Sequence, residues 1–92
     1  MEKKKITVKI GGREYTILSS DPEEHVRRVG IYVDRRMEEI DLATRLPTNM
    51  VAVLTALNMG DELIKAQDEN TRLRRELTLA RKEAADKKEK RS

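Results

Sequence analysis

The residues that could do chemistry are few, and their spacing does not favour catalysis. The chain has one histidine, His25, and no cysteine, which excludes a disulfide framework, a thiolate metal site and a cysteine nucleophile. Glu23 and Glu24 are adjacent and would project about 100° apart on a helix, which favours a helix cap over cooperating carboxylates. Gly11 and Gly12 lack the Gly-Lys-Ser/Thr ending of a phosphate-binding loop. We therefore expect no enzyme, no metal and no cofactor.

Charge and hydropathy narrow the functional classes that remain for this protein. The 92 residues include 20 Lys and Arg against 17 Asp and Glu, a net charge of +3, and two Tyr but no Phe or Trp. Lysines occupy positions 3–5, and residues 81–92 carry six basic and three acidic side chains. A basic end of this kind either attracts nucleic acid or an acidic partner, or is simply a solvated helix end. No apolar run approaches the roughly 18 residues of a membrane span, so we expect a cytoplasmic protein without a signal peptide or membrane partner.

The elements that position these residues begin with a predicted β-hairpin over residues 5–18. Ile6, Val8 and Ile10 alternate with polar residues, which is the period of a half-buried strand. Gly11 and Gly12 supply the positive φ angles that a tight turn requires. A two-stranded hairpin is barely stable alone, so we expect its apolar face to lie on helices.

Two helices are predicted to follow. Asp21 is positioned to cap the first, which continues to about residue 42, and Gly30 in its middle would permit a close backbone approach. Residues 43–47 form a short loop, and the second helix runs from Thr48 or Asn49 to about residue 87. The apolar stripe of the first helix comprises Val26, Val29, Val33, Met37 and Ile40.

The second helix has a heptad pattern. With Leu63 at position a, Asn70 and Leu77 also take a positions and Leu73 takes a d position. The g positions are Glu62, Glu69, Glu76 and Glu83, and the e positions include Arg74, Arg81 and Lys88. In a parallel pair each g residue faces an e residue of the partner, whereas in an antiparallel pair glutamates would face one another. The pattern favours a parallel coiled coil over a solvated single helix, and a lone Asn70 in the seam would fix its register.

These patterns predict an α+β fold, in which an N-terminal β-hairpin packs on two helices and the second helix extends into a C-terminal coiled coil. Residues 1–64 would form a dimerisation head, 65–87 the coiled-coil stalk and 88–92 a basic, frayed tail. Leu57 would meet both the first helix and the partner chain. The oligomerisation residues are therefore Leu57, Leu63, Asn70, Leu73 and Leu77, and a thinner stripe at the b positions could receive a second dimer to make a homotetramer.

Three segments carry a family resemblance. Residues 8–17 read VKIGGREYTI, residues 33–40 read VDRRMEEI and residues 52–63 read AVLTALNMGDEL. In order and spacing they resemble the hairpin, the first helix and the most distinctive segment of the ZapA family of bacterial cell-division proteins.

The resemblance implies a non-enzymatic protein of the mid-cell division ring that binds FtsZ, a tubulin-like GTPase, and cross-links its filaments. It also implies that charged residues of the head contact FtsZ. The matching positions are Arg13 and Arg45, and we add Glu14 and Arg35 as candidate contacts. The alternative function is a dimeric nucleic-acid-binding protein. It is the weaker one, because the expected strand order differs from that of ribbon-type DNA readers and an apolar segment precedes the heptads.

Overall fold

The computed structural model describes residues 2–90 and has two strands followed by two helices. The elements are β1 (Lys4–Ile10), β2 (Arg13–Ser19), α1 (Glu23–Thr44) and α2 (Thr48–Lys90). This order confirms the predicted α+β fold, with a hairpin followed by two helices of which the second is long. The chain divides into two compact units, the first ending at Leu57 and the second starting at Asn58 within α2.

The hairpin of the first unit has the predicted alternation and turn. β1 and β2 pair antiparallel with Ile6 opposite Ile17 and Val8 opposite Tyr15, so these four side chains share one face. Gly11 and Gly12 have φ angles of 63° and 80°. Positive φ at both central residues is the requirement of the type I′ turn that joins two twisted strands.

Helix α1 packs against β1 through a very close approach. A Cβ atom built on Gly30 would lie 3.0 Å from both Cβ and Cγ1 of Val8, which confirms the predicted role of this glycine. Ile6 and Val26 are buried beside this contact. Val29 is an exception to the predicted stripe, because it is 47% exposed. The stripe is therefore displaced around the helix, and Gly30 takes the central place.

The start of α1 differs from the prediction. Pro22 is the N-cap residue and no side chain caps the helix. The backbone N–H of Asp21 instead donates to Ser19 Oγ at 3.0 Å, which forms a local turn after β2. Asp21 is therefore part of this turn and does not cap the helix.

The first turns of α2 complete a small core. Val51 is buried, and so is Thr55, whose Oγ1 donates to the carbonyl of Val51 at 2.7 Å. This bond satisfies a hydroxyl that would otherwise be costly to bury. Among the described residues only Ile6, Val26 and Val51 are buried hydrophobic side chains. A core of this size leaves a single chain marginally stable.

The second unit is helical throughout residues 58–90, and its side chains interact mainly along the helix. Lys65 Nζ lies 2.9 Å from Asp61 Oδ2. Arg72 donates one hydrogen bond to Glu76, at 2.7 Å, and others to Glu69. These are the three- and four-residue spacings that bring side chains together on one helix face.

Candidate functional site

The hairpin turn that precedes Arg13 is anchored to α1. The backbone N–H of Gly11 donates to Asp34 Oδ1 at 2.8 Å. A hydrogen bond to a carboxylate is stronger than one between neutral groups. It joins two segments that are 23 residues apart in the sequence. This bond ties the β1–β2 turn to α1.

Arg45 lies at the C-terminal end of α1 and has an unusual backbone conformation. Its φ and ψ angles are 53° and 31°, and its N–H donates to the carbonyl of Asp41 at 2.8 Å. The left-handed region is normally taken by glycine at this position, and an L-residue there costs roughly 1–2 kcal/mol. The conformation ends α1 and exposes the Arg45 side chain at the start of the short loop before α2.

A groove of about 390 Å³ lies between the hairpin turn, α1 and the start of α2 within the first unit. The hairpin turn contributes Gly11 and Gly12, and the start of α2 contributes Thr48 and Val51. The remaining lining residues come from α1 and are Asp34, Met37, Glu38 and Asp41. Arg13 follows Gly12 directly, and the N–H of Arg45 is bonded to Asp41. The fold thus brings the hairpin turn, α1 and the first turn of α2 to one groove, although they are distant in the sequence.

The four predicted partner contacts are all exposed. Arg13 and Glu14 begin β2, Arg35 follows Asp34 on α1, and Arg45 lies in the loop. Within residues 2–90 none of these four side chains takes part in a hydrogen bond or ion pair. None of the four lines the groove, whose charged lining residues are Asp34, Glu38 and Asp41. Sequence reasoning missed Asp34. Its position between Val33 and Met37, at the edge of the apolar stripe, was the available signal.

The inner face of the hairpin is only half covered. Ile6 of β1 is 3% exposed, whereas its cross-strand neighbour Ile17 is 41% exposed and Tyr15 is 48% exposed. The cause is that α1 packs against β1 and leaves β2 largely uncovered. Exposed apolar side chains grouped in this way indicate an interaction surface.

The start of α2 has a second apolar face that its own chain does not cover. Val51 and Thr55 point into the core, whereas Met50, Val53 and Leu57 are exposed. At 100° per residue these three lie on a different side of the helix from Val51 and Thr55. Leu57 is 66% exposed. The expectation that Leu57 packs on the first helix of its own chain is therefore wrong, and its contact with a partner chain stays a prediction.

The predicted seam residues of the second unit all lie on the continuous helix. Leu63, Leu73 and Leu77 are each about half exposed, and Asn70 is exposed. Arg72, at a c position, pairs with the g-position residues Glu69 and Glu76 of its own helix. The hydrogen bond and charge of Arg72 lower the pKa of Glu69, and Glu69 in return raises the pKa of Arg72. Asp61 likewise raises the pKa of Lys65.

The described part of the chain offers little for metal binding or for crossing a membrane. Residues 2–90 contain no group of three or more His, Asp or Glu side chains placed to hold a metal ion. Neither helix, over the residues that are described, is both long and apolar enough to span a bilayer.

Comparison with known proteins gives one consistent family. Residues 6–91 match the family model described as cell division protein ZapA. A cell division protein ZapA from Shouchella clausii (strain KSM-K16) is 42% identical over 64 residues, which cover 68% of this chain and 82% of that protein. One from Geobacillus kaustophilus (strain HTA426) is 37% identical over 76 residues, covering 82% and 84%. A solved structure, a ZapA mutant dimer from Geobacillus stearothermophilus, is similar with a TM-score of 0.71 and 34% identity, covering 85% of this chain and 92% of that one.

Proposed function

The chain belongs to the ZapA family of cell division proteins, and on that basis we propose that it binds FtsZ and cross-links its filaments at the division ring. The observation that carries the proposal is the exposure of two arginines, Arg13 and Arg45, whose side chains have no partner within residues 2–90. The proposed role is non-enzymatic, because it needs only binding. It places the protein in the cytoplasm at mid-cell, where FtsZ assembles.

The two arginines suit recognition of an acidic filament surface. A guanidinium group binds a carboxylate through two parallel hydrogen bonds, and neither arginine has a competing partner within the described part of the chain. The hydrogen bond from Gly11 to Asp34 restrains the turn before Arg13, and the left-handed backbone restrains Arg45. Restraint before binding lowers the entropy that binding must overcome. Glu14 and Arg35 would add weaker contacts at the edge of this surface.

Cross-linking requires at least two such surfaces in one assembly. Self-association is supported by the similar dimer structure and by the uncovered apolar faces of β2 and α2. A symmetric dimer repeats every binding surface, and attachment at one surface raises the effective concentration at the other.

The dimer that we propose is parallel. Residues 1–64 would supply its head, 65–87 its coiled-coil stalk and 88–92 its basic tail, of which residues 91 and 92 lie outside the described residues. Leu57 would act in the head contact, and the stalk seam would comprise Leu63, Asn70, Leu73 and Leu77. Pairing of two such dimers would give a tetramer.

Co-sedimentation with FtsZ and GTP tests the contact residues. Arg13→Glu and Arg45→Glu should each reduce the bundled FtsZ in the pellet while leaving helix content and melting temperature unchanged. Arg28→Glu makes the same charge change at an exposed position of α1 outside the groove, and it should bundle normally. Equal loss in all three variants would show that net charge, and not these two positions, determines binding.

Asp34 provides a second test that separates positioning from charge. Asp34→Ala makes the protein more basic, which by itself would strengthen attraction to an acidic filament. It also removes the acceptor of the Gly11 N–H, so we expect weaker bundling. Asp34→Asn keeps an acceptor oxygen and should bundle more than Asp34→Ala. If Asp34→Ala bundles more strongly than the parent protein, the turn is not part of the contact.

Salt should weaken the contact selectively. Exposed charge pairs are screened within about 8–10 Å at physiological ionic strength, so bundling should fall between ~50 and ~300 mM salt. The dimer depends on apolar contacts and should persist over this range in sedimentation velocity. Dissociation of the dimer over the same range would assign the loss of bundling to the dimer and not to the arginines.

A further inference from the structure

The second unit has a row of basic side chains that the proposed FtsZ contacts do not use. We define the basic row as Arg74, Arg75, Arg81 and Lys82. The seven-residue spacing between its two pairs places them on one side of α2, about 10 Å apart along the helix axis. All four side chains are exposed, and within the described residues none is in a hydrogen bond or ion pair.

Three glutamates of the same stretch project away from Arg74, whereas Asp68 and Asp86 lie on the side of Arg75 and Lys82, beyond the two ends of the row. At 100° per residue Glu69, Glu76 and Glu83 project about 180–220° from Arg74. Arg72 lies on that side too and pairs with Glu69 and Glu76. Two of these three glutamates are therefore already engaged by Arg72. The uninterrupted part of the basic row is the stretch between Asp68 and Asp86.

The surface beside the row is shallow and mostly apolar. Arg74 and Arg75 line a shallow depression together with Thr71, Thr78 and Leu79. Both threonine hydroxyls donate to carbonyls of their own helix, Thr71 to Gln67 and Thr78 to Arg74. The row itself offers a ligand three guanidinium groups and one ammonium group, all of which are hydrogen-bond donors.

From this arrangement we propose that the basic row binds the phosphate backbone of double-stranded nucleic acid, without regard to base sequence. A linear array of cations matches a linear array of phosphates, and arginine binds phosphate through two parallel hydrogen bonds. The row has no aromatic side chain to stack on bases and no Asn or Gln to read their edges. It therefore supplies affinity and no base recognition. This contact is separate from the FtsZ contacts of the head.

A substitution that tests the basic row should not also disturb the seam of the proposed parallel dimer. Arg74 and Arg81 take e positions, where they would also face Glu69 and Glu76 of a partner chain. Arg75 and Lys82 take f positions, away from the seam, so their substitution should leave the dimer intact. Arg75→Gln with Lys82→Gln is therefore the test variant.

Fluorescence anisotropy of a 30-base-pair DNA duplex with the full-length protein provides the measurement. The logarithm of the binding constant should fall linearly with the logarithm of salt concentration, with a slope of about −0.9 for each phosphate contact. The test variant should lose about 1.8 of this slope for each chain in contact. A duplex of the same composition with scrambled sequence should bind with the same affinity.

The matched control is Arg27→Gln with Lys65→Gln. It removes the same charge, but from two cations that are paired within the chain, with Glu23 at 2.6 Å and Asp61 at 2.9 Å. It should keep the slope of the parent protein. An equal change in both variants would overturn the proposal, because net charge alone would then explain binding.

Other outcomes would contradict binding of nucleic acid by the basic row or assign the row to a different partner. Absence of duplex binding by the parent protein at 50 mM salt overturns the proposal outright. If the test variant binds the duplex normally but no longer sediments with FtsZ, the row contacts an acidic protein. If it instead loses binding to vesicles containing anionic lipid, with duplex binding unchanged, the row contacts a membrane surface. Dimer mass and helix content, measured for every variant, exclude unfolding as the cause.

Discussion

The contact between Gly30 and Val8 gives the sharpest test of the packing of the head. In Gly30→Ala the new Cβ would lie 3.0 Å from Cβ and Cγ1 of Val8, closer than an ordinary van der Waals contact. The atoms it meets are next to the backbone of β1, so they cannot move aside as the end of a long side chain can. Either β1 or α1 must shift.

Two opposing effects decide the size of the change. Alanine is favoured over glycine in a helix interior by up to about 1 kcal/mol. Overpacking by one methyl group in a tight contact costs about 1–3 kcal/mol. The expected net loss is about 1 kcal/mol, which lowers the melting temperature by about 4–8 °C for a domain of 60–100 residues.

The chain contains its own control. Gly60 also lies inside a helix, but a Cβ built there has nothing within 4 Å. Gly60→Ala should therefore raise the melting temperature through helix propensity alone. Circular dichroism melts at several protein concentrations separate changes within the chain from changes in dimerisation. If Gly30→Ala is stabilised as much as Gly60→Ala, a Cβ at position 30 fits beside Val8 without strain. The predicted overpacking between α1 and β1 is then refuted.

Three further predictions concern self-association and pH. Leu57→Glu puts a carboxylate on the uncovered face of α2 and should give monomers in sedimentation equilibrium. The control Leu79→Glu, at an exposed leucine outside the seam, should stay dimeric. A dimeric Leu57→Glu variant would show that this face of α2 does not contact a partner chain. Asn70→Leu should raise the melting temperature and allow other registers or oligomers, and a less stable variant that is strictly dimeric would contradict a buried seam position. Because Arg72 lowers the pKa of Glu69, their pairing should stabilise the helix above about pH 4.3, the unfolded value, and this contribution should be lost as pH falls through the lowered pKa. Glu69→Gln should therefore reduce the loss of helix content on acidification, measured at 222 nm, and an unchanged titration would refute the pairing.

The candidate site was only partly predictable, because its residues are brought together by distant contacts. Arg13 was placed on a turn by the adjacent glycines, which is a local signal. The anchoring of that turn by Asp34 spans 23 residues, and the position of Asp34 at the edge of the apolar stripe does not identify its partner. The left-handed backbone of Arg45 was equally hidden, since the chain has no glycine where α1 ends.

What the sequence determined by itself is the set of local structures. Alternation at Ile6, Val8 and Ile10 specifies a strand, and Gly11 with Gly12 specifies the turn, because the limits on φ and ψ act within a few residues. Periods of three and four specify both helices for the same reason.

What only the tertiary structure decided is which side of each element is covered. The stripe of α1 was predicted to include Val29, but packing of α1 on β1 turns Gly30 inward and leaves Val29 exposed. On α2 both sides are apolar, and packing buries Val51 and leaves Leu57 uncovered. Periodicity shows that a helix has an apolar side, but the choice between two such sides depends on the shape of the surface that meets it.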